Sequence, residues 1–193
     1  MNIQPLIAHI EKIIPLDEAA KQDLAAKTIF KKLRRRQYLL QEGDHCNHYN
    51  FVLNGCLRLY FVDGKGSENV LQFATGNGWV ADIGSLHTGQ ASRLCIDALE
   101  PSDVLRIAKQ DLIELYVKHA AFDRYFRVLT ENAFVAMQQR VLQNISSTAE
   151  ERYLSFLEKY PHLAQRLPQV QIASFIGVTP EFLSKIRRNL MEQ

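Results

Sequence analysis

The chain has 193 residues, of which 47% are hydrophobic and 23% are charged, and its formal net charge at pH 7 is +2. This balance is typical of a globular protein with enough chain for one large or two small domains. The small net charge excludes a protein that is basic overall, so a surface that binds nucleic acid has to be local.

The chain carries no signal for a membrane or a secreted protein. It has no apolar run near the about 18 residues of a membrane helix, and the charged Glu11 and Asp17 rule out a signal peptide at its start. Its cysteines, Cys46, Cys56 and Cys95, lack the spacing of a disulfide framework, a zinc site or an iron–sulfur motif. We therefore expect a cytoplasmic protein with reduced thiols and no membrane partner.

Two short helices are predicted at the N terminus. Ile3, Leu6 and Ile10 recur at helical spacing, and this helix ends near Pro15. Asp17 is placed to cap a second helix that runs to about Lys27. We expect the pair to cover the segment that follows.

Between Gln37 and Lys109 the hydrophobic period changes from helical to two, which predicts short antiparallel strands. Asn54-Gly55 lies between two such strands and predicts a type I′ hairpin. Short strands at nearly regular spacing indicate a barrel or jelly roll. The expected strands lie near residues 38–40, 51–53, 57–61, 70–73, 79–83, 93–98 and 104–107.

The helical period returns after Gln110 and predicts a long helix from about Phe122 to Gln143. Apolar residues repeat along it at steps of three and four. These six apolar positions are more than one small barrel needs to cover it. We expect this stripe to form the seam of a homodimer, and the alternative is a core helix that lies on the barrel. The stripe consists of Phe122, Phe126, Leu129, Ala133, Ala136 and Met137.

The last part of the chain predicts a helix and then a helix-turn-helix. Ser147 with Glu150 has the spacing of a capping box that opens a helix at the start of this part. Further on, residues 169–176 form a short helix, and Gly177 is placed to end it in the left-handed conformation. Thr179 can cap the second helix, and Pro180 suits its first position.

The second helix of this motif has one apolar and one polar side. In such motifs its first residues enter the major groove, so Glu181 can accept from a cytosine amino group and Lys185 can donate to guanine. Arg187, Arg188 and the Ser184 hydroxyl suit phosphates. The alternative is an ordinary helical hairpin with solvated charges. The DNA-binding residues that we expect are Thr179, Glu181, Ser184, Lys185, Arg187 and Arg188.

This order of parts resembles the CRP/FNR superfamily of bacterial transcription regulators over nearly the whole chain. Its marks are residues 42–44, 51–55, 63–65, 98–100 with 105–107, and Gly177-Val178-Thr179 with Ser184-Lys185. The resemblance implies an α+β fold with an antiparallel β-roll of jelly-roll type, flanking helices, a dimerisation helix and a helix-turn-helix. Because the chain ends at Gln193, we expect no C-terminal wing. The domains implied are a sensor roll (1–121), the dimerisation helix and hinge (122–145) and the DNA-binding domain (146–193).

The resemblance also implies a phosphate cassette, and here it is degenerate. Members that bind cyclic AMP have a Gly-Glu-Leu run and a later Arg that pairs the phosphate, and Ser92 takes the place of that Arg. Strand alternation sends Arg93 to the opposite face. A buried phosphodiester would lack its counter-charge, so we expect no cyclic AMP and no other cofactor. The aligned cassette residues are Ala81, Asp82, Ile83, Ser92 and Arg93.

The DNA-reading pattern also departs from that of the family. In the family, the second helix has an Arg directly before a Glu and a basic residue four positions after that Glu. Here Pro180 stands before Glu181, and Lys185 is the basic residue. We expect a different operator sequence. The chain is then a cytoplasmic, homodimeric regulator without catalytic residues or a metal, with double-stranded DNA, RNA polymerase and an unknown small-molecule effector as its partners.

Two other classes of protein remain open from the sequence. His45, Cys46 and His48 precede a strand, near where cupin enzymes hold a metal, although no carboxylate follows until Asp63. The second class is a β-roll that regulates a partner protein by contact and does not bind DNA.

Overall fold

A computed structural model of the protein describes residues 2–191. The chain forms two compact units. The first comprises the chain up to Phe61 together with Leu71–Glu131, and the second comprises Val62–Val70 and the chain from Asn132 onward. The boundaries after residues 121 and 145 that the sequence suggested stay a prediction. No helix within residues 2–191 is long and apolar enough to cross a membrane.

The predicted helices and strands occur in the expected order, although the strand expected at residues 79–83 ends at Val80 and a helix begins at Ile83. The N-terminal helices are α1 (Gln4–Glu11) and α2 (Glu18–Ala26), the latter capped by Asp17, whose Oδ1 accepts from Ala20 N at 2.7 Å. The strands are β1 (Thr28–Leu33), β2 (Tyr38–Leu40), β3 (His48–Asn54), β4 (Cys56–Val62), β5 (Glu68–Thr75), β6 (Gly78–Val80), β7 (Cys95–Ala98) and β8 (Ser102–Ala108). The other helices are α3 (Ile83–Thr88), α4 (Lys109–Lys118), α5 (Ala120–Ser146), α6 (Ala149–Lys159), α7 (Leu163–Arg166), α8 (Gln169–Ile176) and α9 (Pro180–Met191).

The strands form two four-stranded sheets, in the orders β1-β8-β3-β6 and β2-β7-β4-β5. Partners such as β1 and β8, or β4 and β7, run antiparallel. Leu33, Val52 and Val104 of one sheet and Leu57 and Ile96 of the other belong to one buried apolar cluster. The predicted β-roll is therefore confirmed, and alternate residues of both sheets fill its interior.

The type I′ hairpin expected at Asn54-Gly55 is wrong. Although β3 and β4 are joined by Gly55 alone, they belong to different sheets, so the chain crosses from one layer to the other at this corner. A type I′ turn requires positive φ at both central residues. Gly55 has φ +93°, but Asn54 is not among the described residues with positive φ. Cys56 N donates to Ser102 Oγ at 3.2 Å and fixes the corner against β8.

The start of α5 lies in the core of the first unit. Phe122 and Tyr125 are 0% exposed and Phe126 is 5% exposed, and they pack with apolar residues of α1 and α2. Tyr125 Oη accepts from Trp79 Nε1 at 2.8 Å and lies 2.7 Å from His9 Nδ1. This buried polar contact ties α5 to β6 and to α1.

Two of the predicted seam residues are therefore core residues. Phe122 and Phe126 are buried against their own chain, and Leu129 packs against the same cluster, so none of these three side chains forms the exposed stripe that the sequence suggested. Helical periodicity identifies an apolar face without showing which neighbour covers it. Ala133 and Met137 are exposed and Ala136 is half-buried.

Replacing Gly55 by alanine is expected to destabilise the roll strongly. A Cβ at this position would lie 2.2 Å from Ser102 Oγ and 2.7 Å from the carbonyl oxygen of Pro101, on a backbone with φ +93°. Left-handed strain alone costs about 1–3 kcal/mol, and the clash adds to it. Urea unfolding followed by circular dichroism measures the decrease in unfolding free energy.

Gly43→Ala is the matched control, because Gly43 also has positive φ, at +90°, but nothing lies within 4 Å of the point that its Cβ would occupy. An equal decrease in unfolding free energy in the two variants would contradict the close approach at the corner.

Candidate functional site

The joint between α5 and α6 is a capping box one residue later than the sequence suggested. Thr148 N donates to Glu151 Oε2 at 2.7 Å, and Glu151 N donates to Thr148 Oγ1 at 3.2 Å. The box predicted at Ser147 and Glu150 is wrong because Ser147 N still donates to the carbonyl oxygen of Gln143, at 2.9 Å, which continues the hydrogen-bond pattern of α5. The hydrogen bonds from Thr148 hold the pKa of Glu151 below its usual value.

The turn between α8 and α9 has the predicted geometry. Gly177 has φ +75° and ψ 42°, and Val178 N donates to the carbonyl oxygen of Ala173 at 3.0 Å. Thr179 Oγ1 accepts from Phe182 N at 3.2 Å and caps α9. A left-handed glycine followed by a capping threonine thus ends one helix and begins the next.

Two arginines bind the carbonyl end of α8. Arg152 Nε donates to the carbonyl oxygen of Ile176 at 2.9 Å, and its Nη1 donates to that of Ser147 at 2.7 Å. Arg140 Nη2 donates to the carbonyl oxygen of Phe175 at 3.1 Å, and its guanidinium lies 4.3 Å from the centre of the Phe175 ring. Cations at this end also favour the helix dipole. The sequence gives no local signal for either contact.

The tip of the β4–β5 hairpin, Val62–Val70, belongs to the second unit and binds α8. Ser174 Oγ donates to the carbonyl oxygen of Glu68 at 2.6 Å and accepts from Val70 N at 2.9 Å. Arg140 Nη2 also donates to the carbonyl oxygen of Val70, at 2.9 Å. One serine of α8 and one arginine of α5 therefore hold the backbone of the tip, an arrangement that sequence reasoning missed because the partners are far apart along the chain.

Helix α9 has one buried and one polar side. Leu183 is 0% exposed and Ile186 is 5% exposed. Its polar face, which we define as Glu181, Ser184, Lys185 and Arg188, is exposed, as is Thr179, whereas Arg187 is half-buried.

The side chains at the start of α9 are locally ordered. Ser184 Oγ donates to the carbonyl oxygen of Pro180 at 2.9 Å, which leaves the lone pairs of Ser184 free to accept. Interactions with its own backbone N–H and with the Thr179 side chain hold the pKa of Glu181 below its usual value. Glu181 is therefore an ionised acceptor at neutral pH.

Two of the cassette residues are buried and hydrogen-bonded to each other. Asp82 is 8% exposed and Ser92 is 3% exposed, and Ser92 Oγ donates to Asp82 Oδ2 at 2.6 Å. Asp82 Oδ1 also accepts from Ser85 N at 3.1 Å and caps α3. Ala81 is buried, whereas Ile83 is 52% exposed and Arg93 is exposed. The structure thus brings Asp82 and Ser92 together and leaves Arg93 exposed before β7.

The pair in this cassette already satisfies its own polar groups. Ser92 Oγ accepts from Leu94 N at 2.9 Å in addition to bonding Asp82. Around it, Leu59 and Leu86 are buried in the apolar cluster of the roll. A phosphate at this place would meet a carboxylate and no cation, which opposes its burial.

A second buried pair was not visible in the sequence. Arg58 and Asp97 lie directly opposite each other on β4 and β7, with Nε to Oδ1 at 2.7 Å and Nη2 to Oδ2 at 3.0 Å. The Arg58 guanidinium also lies 3.8 Å from the centre of the Tyr60 ring. Burial and the hydrogen bond with Tyr38 raise the pKa of Tyr60. The two-pronged ion pair fixes the register of the two strands.

The metal site of the cupin alternative is not assembled. Nowhere in residues 2–191 do three or more His, Cys, Asp or Glu side chains come together as a metal would need. His45 Nδ1 lies 2.9 Å from the carbonyl oxygen of Gly89, and Cys46 is buried.

Comparisons with known proteins identify the fold. The family model of the cyclic nucleotide-binding domain matches residues 30–119. FixK2 from Bradyrhizobium japonicum matches with a TM-score of 0.74 at 19% identity, over 86% of this chain and 85% of that one. A transcriptional regulator of the CRP/FNR family from Eubacterium rectale matches with a TM-score of 0.70 at 18% identity, over 91% of this chain and 84% of that one. The chain therefore has the fold of these regulators.

The chain also has a relative in sequence. It is 24% identical over 153 residues to the transcriptional activator protein Anr of Pseudomonas protegens. The match covers 79% of this chain and 59% of Anr, so it spans less than two thirds of that relative. The superfamily resemblance drawn from the order of sequence marks is confirmed.

The cassette residues of this chain are expected not to bind cyclic AMP. The cassette offers the phosphate a carboxylate, Asp82, that is already bonded to Ser92, and its arginine, Arg93, is exposed. Isothermal titration calorimetry with cyclic AMP should show a dissociation constant weaker than about 1 mM. Saturable binding at micromolar concentrations would contradict this account of the cassette.

Proposed function

We propose that this protein is a dimeric, DNA-binding transcription regulator of the CRP/FNR type, without enzymatic activity, that acts in the cytoplasm. The observation that carries the proposal is the polar face of α9, which is exposed on a helix capped by Thr179 and packed through Leu183 and Ile186. The relative Anr is named as a transcriptional activator, and FixK2 and the regulator from Eubacterium rectale support the fold.

The chemistry of the polar face suits a major groove. Lys185 can donate to the acceptors of guanine and Glu181, which is ionised, can accept from the amino group of cytosine. Arg188 and the half-buried Arg187 are placed to meet phosphates, and Ser184 can accept or share a hydrogen bond there. With Pro180 before Glu181, the preferred operator differs from one read by an Arg at that position.

The dimer seam is proposed to lie further along α5 than the sequence suggested. Phe134, Met137, Val141 and Ile145 follow one another at steps of three and four and are 62%, 66%, 51% and 80% exposed. This spacing is typical of a two-helix seam, in which each side chain packs between residues of the partner helix. A second copy of the chain covers the stripe best because two such helices present the same surface to each other.

The dimer would place two reading helices on one DNA duplex. Helix-turn-helix dimers bind half-sites about 34 Å apart, one turn of the double helix. The regulator would respond to a small-molecule effector other than cyclic AMP and contact RNA polymerase.

Removing two cations from the polar face is expected to weaken DNA binding. Lys185→Ala with Arg188→Ala eliminates two ionic contacts, so the affinity for a random-sequence duplex should fall about tenfold or more at low salt. The slope of log affinity against log salt should decrease by at least about 0.9, because Arg188 is proposed to neutralise a phosphate and each such phosphate contributes about 0.9 to that slope. Fluorescence anisotropy with a labelled duplex over a salt series measures both.

Lys12→Ala with Lys32→Ala is the control, because it removes the same charge from exposed positions of the first unit. If the two double variants bind DNA equally well, α9 does not read DNA, and a roll that acts through protein contacts becomes the better assignment.

Val141→Arg is expected to dissociate the dimer. The substitution places two cations in an apolar seam where no carboxylate is available, so the dimer dissociation constant should rise by at least about 100-fold. Light scattering after gel filtration at several concentrations measures the mass. Gln139→Arg, at an exposed position on the other side of the helix, should leave the dimer intact. A monomeric wild-type chain at every concentration would contradict the seam.

A further inference from the structure

A cavity of about 180 Å³ lies between the two sheets of the roll. Leu40 and Ile96 line it from one sheet, and Asn50 and Arg106 line it from the other. None of the cassette residues lines this cavity. It is therefore a separate compartment with its own polar groups.

Arg106 is held in the cavity by a buried amide. Its Nε donates to Asn50 Oδ1 at 3.0 Å, and Asn50 is 3% exposed. Asn50 Nδ2 donates to the carbonyl oxygens of His48, at 3.3 Å, and of Val80, at 3.1 Å. Because both carbonyls need an N–H donor, the oxygen of Asn50 has to face Arg106. Asn50 thus orients the guanidinium without neutralising its charge.

The other donors of Arg106 have no protein acceptor. Throughout the described part of the chain, the bond to Asn50 is the one hydrogen bond that Arg106 makes, and it forms no ion pair. A guanidinium has five N–H groups, so four remain for a ligand. A half-buried arginine without a counter-charge is costly, and an anion in the cavity would offset that cost.

The neighbouring charges do not supply this anion. Burial, and then the positive charge of Arg106, lower the pKa of both His48 and Lys31. Burial also lowers the pKa of Arg106 itself. Asp111 raises the pKa of His48, but its carboxylate is bound to Lys27 Nζ at 3.0 Å. The cavity therefore keeps an excess of positive charge.

We propose that this cavity binds a small organic carboxylate. The carboxylate accepts from the free N–H groups of Arg106, whose planar fork matches two oxygens, and a short carbon chain lies against Leu40 and Ile96. Drug-sized ligands occupy pockets of about 300–1,000 Å³, so the cavity suits a molecule of a few carbons and not a nucleotide. The apolar walls distinguish this ligand from an inorganic oxyanion. Binding here requires neither DNA binding nor dimerisation.

The test is isothermal titration calorimetry of the full chain with propionate, propionamide and inorganic phosphate at constant ionic strength. Propionate should bind, and propionamide, which has the same shape without the charge, should bind at least about 10-fold more weakly. Arg106→Gln should weaken propionate binding at least about 10-fold. The matched variant Arg35→Gln removes an exposed arginine outside the cavity and should leave propionate affinity unchanged.

Leu39→Phe gives a second measurement that leaves Arg106 in place, in case Arg106→Gln does not fold. Leu39 lines the cavity and is half-buried, so the larger ring should fill the space and abolish propionate binding. Equal affinity for propionate and propionamide, or unchanged propionate binding in Leu39→Phe, would overturn the site. Tighter binding of phosphate than of propionate would overturn the organic carboxylate as its ligand.

Discussion

The burial of the first turns of α5 is the constraint on which the rest of the structure depends. Phe122, Tyr125 and Phe126 fill the core beside α1 and α2, and the Tyr125 hydroxyl meets both Trp79 and His9. These contacts fix the start of a 27-residue helix in the core of the first unit. The exposed apolar residues from Phe134 to Ile145 form the seam that we propose for a second copy of the chain.

The second unit has polar contacts that join its helices in addition to its buried apolar side chains. Arg140 and Arg152 bind the last carbonyl groups of α8, and Ser174 holds the hairpin tip through its hydroxyl. Leu183 and Ile186 then pack α9 from its inner side. The polar face of α9 is exposed and does not pack in the interior of the second unit. A surface proposed to bind DNA has to be accessible in this way.

Prediction from sequence succeeded where the signal is local. The bounds 169–176 of α8, the left-handed Gly177 and the Thr179 cap were predicted because each depends on neighbours within one helical turn. The hairpin predicted at Asn54-Gly55 was wrong because a turn signal does not show to which sheet the next strand belongs.

Long-range contacts explain the other misses. The sequence placed Phe122 and Phe126 in a seam because periodicity does not show what covers a face. Asn50 and Arg106 are 56 residues apart, and only the pairing of β3 with β8 brings them opposite each other. The same separation hid the hydrogen bonds of Arg140 and Ser174.

The short joint between α5 and α6 has a geometric consequence. Only Ser147 and Thr148 separate the two helices, and the mutual bonds of Thr148 and Glu151 start the second one at a fixed point. Each residue added to a helix turns everything after it by about 100° and advances it by about 1.5 Å. A single insertion near the end of α5 would therefore rotate α9 about the axis of α5. The orientation of α9 depends on the number of residues at this joint more than on their identity.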